Sequence, residues 1–486
     1  MIGIVFRLRQ YLVNRSLWGD EACLALNLVN RNLSGLLRPL DYEQGAPIGF
    51  LFIEKLFIII FGNKDYILRI FPLISGILAI YLIYRIARKY IGTAGIFAVL
   101  LFSLNWQLIY YSSEVKQYSS DVMIALLLVY LSGNCLGGSA RLKDFALLGL
   151  AGMVAIWISH PSIFFLAGIG LALILEKIIR KDYAPLAWIL ALGIAWIAAF
   201  GIEYLVSLRY LIANDDLQGY WMKAFMPLPP WSNPNWFVKT YYSLIYMSVS
   251  RTDLILAIIF PVLFFIGSLS LWVRYRNFAV IIISPFFMAL AASALQKYPL
   301  KDRFMLFLVP LVLLIISEGL GRIYLFFAKW DRKLAVIFYA IPALVILWLT
   351  TPGIFQNFMA PYKGEDIKPV MGHIKENRTQ DDIVYVFHSS IYAFNYYAPF
   401  YDLDTGNIIM GIDGPKRKLA LEQFFNDVEA LRGNSRVWFI FSAVLDCGGC
   451  EGDKQQFYLD YLDSLGVRMD SFNAPGANGY LYNLSP

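Results

Sequence analysis

The stretch IFPLISGILAIYLIYRIA, Ile70–Ala87, holds a single charge, Arg85, close to its end, and Arg88-Lys89 follow at once. An apolar run of this length spans a hydrocarbon core of roughly 30 Å as a helix, and the basic residues at its end belong at the headgroup boundary. Working outward, the same pattern recurs at Ile91–Ile109, Val122–Leu136, Phe145–Ile158, Pro161–Leu175, Leu186–Leu205, Leu254–Val273, Phe278–Leu295, Phe304–Ile316 and Leu334–Leu349. The expectation is a polytopic α-helical membrane protein with about ten full spans. Composition agrees, because the 486 residues are 58% hydrophobic and only 16% charged, whereas soluble domains carry about 25% charged residues. The formal net charge of +6 is modest and forms no basic run or basic helix, which argues against nucleic acid as a partner and for membrane lipids.

Basic residues gather in alternate connections: Arg85, Arg88 and Lys89; Arg141 and Lys143; Lys177, Arg180 and Lys181; Arg274 and Arg276; Arg322, Lys329, Arg332 and Lys333. The positive-inside rule makes that face cytoplasmic. The opposite face then carries residues 14–69, 110–121, 207–251 and 296–303, with everything after Thr350. Met1–Val13 is apolar but too short to cross and is interrupted by Arg7 and Arg9, so it is expected to be the truncated end of a first span. Pro47–Phe61 has Glu54-Lys55 at its middle and is expected to lie as an amphipathic helix on the outer surface.

Residues 1–350 are therefore read as a transmembrane module and 351–486 as a small extracytoplasmic α/β domain. In the second, Asp381–Phe387 and Arg436–Phe441 have the character of buried strands, and Lys416–Leu431 and Gln455–Leu465 have helical spacing. It shows no glycine-rich phosphate loop and no nucleophile motif. Cys447-Gly-Gly-Cys450 has disulfide-compatible spacing, and a local bridge or two free thiols are equally open.

Chemistry is expected on the outer face. Asp20-Glu21 follows the first apolar segment, where it serves either as the acidic first turn of a helix or as a general base or metal ligand. Tyr110–Asp121 packs two acids, a lysine and three tyrosines between two spans, and Lys297–Arg303 stands at the mouth of another. Lys116, Lys297, Lys301 and Arg303 are cations on the face that should be poor in them, and a lipid-borne phosphate accounts for that placement. Ion pairs with Asp302 or Glu114 are the structural alternative. The aromatic stretch Tyr204–Tyr246, with Trp221, Trp231 and Trp236, suits an interfacial belt or a sugar-stacking lid, and His160 lies on the same face.

Trp18-x-Asp20-Glu21-Ala22, the helix after Ala46-Pro47, Phe61-Gly62 with Leu68-Arg69, and Tyr111-Ser112-Ser113-Glu114-x-Lys116-x-Tyr118 occur in that order. The ordered set resembles the GT-C superfamily of polyprenyl-phosphate-sugar glycosyltransferases, in its protein O-mannosyltransferase-like and aminoarabinose-transferase-like branches. It departs from that pattern in its short first span and in Lys116-Gln117, where Arg-Pro is usual. The resemblance implies inverting transfer of a sugar from a polyprenyl-phosphate-linked donor to an envelope acceptor at the outer face of the inner (cell) membrane. By family position Asp20 is the base. Glu21 and Glu114 orient it, and Asp20 and Glu114 are the candidates should a divalent metal be used; no other cofactor is implied. Lys116, Tyr118, Lys301 and Arg303, with Arg69 and His160, would hold donor phosphate or sugar. A flippase for a lipid-linked sugar is the competing function, but carriers place polar groups along a midplane path. Here charge collects at the two faces.

Overall fold

The computed structural model describes residues 1–137, 140–404, 406–412, 417–444 and 454–485; Cys447 and Cys450 lie outside them. The chain divides into two compact units. A helix unit comprises Met1–Leu12, Leu33–Gly62 and Tyr66–Pro361, and a sheet unit comprises Val13–Asn32, Asn63–Asp65 and Tyr362–Pro486.

In the helix unit the apolar runs form helices as expected. Eight helices among the described residues are long and apolar enough to cross a membrane, from Asp65–Tyr90 to Arg332–Met359. This is a multi-pass membrane protein. The two remaining runs behave differently. Ile91–Ile109 is broken at Asn105 into Gly95–Leu104 and Trp106–Tyr111. The Asn105 side chain causes the break: its oxygen accepts from Leu108 N–H at 2.8 Å, capping the second helix, and its amide donates to the carbonyls of Met247 and Ser248 at 2.9 and 2.6 Å. Phe145–Ile158 lies in a helix of 17 residues, Leu142–Ile158.

Ile2–Leu12 is helical, and Arg7 turns inward, donating to the carbonyl of Gly3 at 3.0 Å with its guanidinium 5.5 Å from the Phe102 ring. Ile48–Phe61 is also a helix, ended by Gly62 at φ +85°, a conformation natural only to glycine. Its central pair is divided: Glu54 is fully buried while Lys55 is half exposed. Burial pushes the Glu54 carboxyl well above the usual range, which favours the neutral acid. The stretch 207–251, read from sequence as a loop, contains a 16-residue helix, Pro234–Val249. Pro at its first position and Ser250 in the left-handed conformation at its end delimit it.

The most enclosed span is Asp302–Phe327, with 89% of its apolar window buried. It begins as a 3₁₀ turn, Asp302–Leu308, and continues as an α-helix, Val309–Phe327. It crosses Leu254–Arg274 almost backbone to backbone. A Cβ on Gly267 would meet the Ile315 carbonyl oxygen at 2.0 Å, and one on Gly319 would meet that of Leu263 at 2.2 Å. Small residues permit this approach where lipid offers no hydrophobic drive between helices.

The sheet unit holds strands β1 (Ile383–Val386), β2 (Ile408–Met410), β3 (Val437–Ser442), β4 (Val467–Ala474) and β5 (Ala477–Asn483) in the order β2-β1-β3-β5-β4. β2, β1 and β3 are parallel, with Ile383 opposite Val437, and the β4–β5 hairpin closes the sheet antiparallel. Helices Arg417–Ala430 and Lys454–Leu465 accompany it, close to the ranges read from sequence. Phe424, Val428, Phe439, Phe441, Tyr458 and Leu462 form its core. The unit also takes in Val13–Asn32, which the sequence reading assigned to the transmembrane module. Polar contacts tie it there: Ser16 Oγ donates to Asp366 at 2.6 Å and Leu17 N–H to the Tyr397 hydroxyl at 2.8 Å.

Gly319→Ala is expected to cost about 1–3 kcal/mol through overpacking against a backbone that cannot yield, read as a lowered melting temperature of the purified chain. Gly193→Ala, with open space around its Cβ position, is the neutral or stabilising control.

Candidate functional site

Ser112–Asp121 was read as an outer connection, yet every side chain in it is buried within the helix unit. Glu114 is fully enclosed, and Lys116 reaches the side-chain oxygen of Gln44 at 2.5 Å. Tyr118 opens the helix Tyr118–Cys135 and carries the Arg303 guanidinium 5.6 Å over its ring. Tyr111 meets Tyr118 edge-on at 5.3 Å, Phe304 does so at 5.9 Å, and Trp221 packs on Phe304 at 4.8 Å. Burial raises the Tyr111 phenol far above its ordinary value; Glu114 adds to the shift and Arg303 opposes it. Glu114, Tyr111, Tyr118 and Arg303 therefore share one electrostatic neighbourhood at this end of the bundle.

The cluster extends to the next connection. His160 Nε2 lies 3.3 Å from Glu203 Oε1, and Glu203 ends the helix Leu186–Glu203 where the chain enters a π-turn, Tyr204–Leu208. Tyr298 is partly buried, its hydroxyl donating to the Phe304 carbonyl at 2.9 Å. Burial lifts its pKa well above the usual range, with Asp121 and Tyr118 adding to the effect. Asp302 is engaged elsewhere, exchanging hydrogen bonds with Ser243 at 2.9 Å. Lys301 is 59% exposed and 4.0 Å from Asp302, so the structure does not bring it into this cluster. Arg69 is buried at the head of Ile70–Tyr90, within electrostatic reach of Tyr11. Trp231 is exposed, whereas Trp236 is core.

In the sheet unit, Asp20 and Glu21 form the first turn of the helix Gly19–Asn30. Their environments differ. Glu21 is fully buried in an ion pair with Arg15, itself buried. Asp20 is only half buried. Glu365 joins them, accepting the Gly19 N–H at 3.0 Å. Its carboxyl is raised by burial, opposed by that N–H; Glu21 and Asp20 add to the rise and Arg15 works against it. Asp366 is held by Ser16 and, at 3.4 Å, by Lys363. Lys368 and the Tyr397 hydroxyl both reach Asp65, at 2.7 and 2.8 Å. The three carboxyls thus differ in setting: Glu21 is paired with Arg15, Glu365 accepts the Gly19 N–H, and Asp20 is half buried.

Sequence reasoning missed Gln44, Glu365 and the Glu203 partner of His160. Glu365-Asp366 is an acidic doublet like Asp20-Glu21, a signal present in the sequence but 346 residues from the Gly19 that it meets. Among the described residues no group of three or more His, Cys, Asp and Glu side chains is arranged to hold a metal ion.

The resemblance read from the motifs is borne out by the matches that follow. Residues 45–202 match the family described as dolichyl-phosphate-mannose-protein mannosyltransferase. The whole chain is similar to ArnT from Cupriavidus metallidurans in the apo state, with TM-score 0.53, 15% identity and coverage of 99% of this chain and 97% of that one. The same protein bound to undecaprenyl phosphate matches with TM-score 0.53 and 12% identity over the same shares. A weaker likeness, TM-score 0.49 at 13% identity over 99% of this chain and 73% of the other, is to the archaeal oligosaccharyltransferase AglB from Archaeoglobus fulgidus. No curated protein sequence matches the chain.

The raised Glu365 pKa has a signed consequence. A carboxyl that binds its proton more tightly when folded contributes stability that is full below its unfolded pKa and is lost as pH rises through the folded value. Glu365→Gln keeps an acceptor for Gly19 N–H without the titration. Melting temperatures measured from pH 4 to 8 should therefore fall more with rising pH in the wild type than in the variant; parallel curves would contradict the assignment.

Proposed function

We propose that the chain is an inverting glycosyltransferase that moves a sugar from a polyprenyl-phosphate donor to an acceptor hydroxyl at the outer face of the cell membrane. The observation that carries the reading is the buried polar run Ser112–Asp121 among apolar helices, which holds Lys116 and whose Tyr118 ring lies under the half-buried Arg303 guanidinium. A phosphate is an anion that two such cations can serve alongside the protein's own carboxylates. The whole-chain fold likeness to ArnT, seen with undecaprenyl phosphate, supports a lipid-borne phosphate as that anion.

In this reading the acceptor oxygen attacks the anomeric carbon as its proton passes to the Asp20 carboxylate. The bond from that carbon to the phosphate oxygen breaks, and its electron pair leaves with the polyprenyl phosphate. Lys116 and Arg303 stabilise the charge that gathers there, Lys as a point charge and Arg through its paired donors. Glu114 sets the local field around Arg303. His160, 3.3 Å from Glu203, is a hydrogen-bond partner for sugar or phosphate. Glu21, locked to Arg15, fixes the turn that carries Asp20. Basic turns at the other helix ends support an extracytoplasmic placement of the sheet unit. A flippase is less well supported, since the ionisable side chains gather at the ends of the helices.

Transfer assays on purified protein with a panel of polyprenyl-phosphate sugars test the activity. Asp20→Asn is expected to retain donor binding and lose turnover by about 10²–10⁴-fold; near-normal turnover would remove Asp20 from the role. In the same assay Arg303→Ala should raise KM and lower kcat together, and Arg303→Lys should be only a partial rescue.

A further inference from the structure

The helix unit has a second polar site at its other end. A cavity of about 710 Å³ opens among the ends of six helices, lined by six cations (Lys89, Arg141, Lys143, Arg180, Arg274 and Arg276) and two carboxylates (Asp144 and Glu176). Its size is that of a small-molecule site. It is remote from the cluster around Arg303: Tyr118 of that cluster and Gly133, in the cavity wall, lie 15 residues apart on the helix Tyr118–Cys135, about 22 Å at 1.5 Å per residue.

Charge in the cavity is unbalanced even after the internal pairs are removed. Arg180 lies 3.1 Å from Glu176, and Arg274 lies 2.9 Å from Glu318. Both lining carboxylates are engaged, Glu176 also by the Gly137 N–H at 2.6 Å and Asp144 by the Arg141 N–H at 2.9 Å. Lys89, Arg141, Lys143 and Arg276 make no ion pair among the described residues. Lys89 donates to the Gly133 carbonyl at 2.7 Å, and Arg276 lies 5.1 Å over the Trp272 ring. The wall between them is aromatic and firm, with Tyr90 stacked on Phe278 at 3.6 Å and Tyr275 edge-on at 5.5 Å. Four cations without an ion pair, against the single carboxylate of Asp144, leave an excess positive charge that fits a phosphate better than scattered surface lysines do.

The flanks identify what the phosphate is attached to. Leu142, Ile179 and Val273, each next in sequence to a lining cation, are exposed, as Val273 is at 76%. Apolar side chains exposed beside a cationic cavity at the ends of membrane-spanning helices suit acyl chains running down from a headgroup. We propose that this cavity binds the phosphate headgroup of an anionic glycerophospholipid in the leaflet at the basic end of the bundle. The proposal is independent of the transferase reading.

Native mass spectrometry and melting temperature on the full chain in detergent test it, with phosphatidylglycerol, phosphatidylcholine of the same acyl chains, and inorganic phosphate as probes. Phosphatidylglycerol should be retained roughly tenfold or more over phosphatidylcholine. Arg141→Ala with Arg276→Ala should abolish that preference, while Lys329→Ala with Lys333→Ala, on another basic turn, should leave it unchanged. Lys143→Glu, at an exposed position, gives the same reading should the double variant not fold. Equal retention of both lipids, or equal loss in the test and control variants, would overturn the site. Stabilisation by inorganic phosphate equal to that by phosphatidylglycerol would overturn the lipid as its ligand.

Discussion

The crossing of Leu254–Arg274 and Val309–Phe327 at Gly267 and Gly319 is the constraint on which the helix unit depends. Two backbones there approach to a distance that no side chain would allow. The approach fixes Val309–Phe327 as the enclosed centre of the bundle, and the 3₁₀ turn before it inherits that position. Arg303 stands in this turn, Phe304 beside it, and Tyr298 hydrogen-bonds to it from the preceding connection. A cation thus takes its place from a glycine contact several turns away. The same logic holds at Asn105, whose amide spends its bonds on Met247 and Ser248 and so breaks a run that composition alone makes continuous.

Much of the architecture was legible because lipid imposes a simple rule: apolar runs of sufficient length become spans, whatever packs beside them. The tail strands were legible for a similar reason, since β1 and β3 are hydrophobic on both faces. What escaped reading is what depends on neighbours far away in sequence. The hairpin β4–β5 alternates polar and apolar side chains around Pro475-Gly476 and is recognisable only once its sheet is known. Pro234–Val249 looked like loop because its aromatic and polar residues mix, although the Pro at its start was a fair signal. The candidate site divides likewise. Glu114, Lys116, Tyr118 and Arg303 were visible as polar residues out of place; Gln44 and Glu365 were not, because each looks ordinary beside its sequence neighbours. Lys301 matched the charge pattern but is exposed, for the pattern reports charge and not depth.

The two clusters of ionisable groups use opposite means. In the helix unit, the Arg303 guanidinium lies over the Tyr118 ring and Tyr111 meets Tyr118 edge-on, so that rings surround the cation. In the sheet unit, carboxylates are set apart from one another by their surroundings: Arg15 pairs with Glu21, burial raises the Glu365 carboxyl, and Asp20 is half buried. Like groups on one turn of helix are thereby given different environments.

The sheet unit is assembled from three separated stretches of chain, and this has a consequence for synthesis. Ser16 and Asp366 are 350 residues apart. A ribosome adding about 5–20 residues per second needs roughly 20–70 seconds to make the second after the first. During that interval the Arg15–Glu21 turn exists without the strands and helices that later enclose it, while one span after another is delivered to the bilayer. The acidic turn is made long before the residues that enclose it, so a nascent chain stopped before Tyr362 would carry Ser16 without its Asp366 partner.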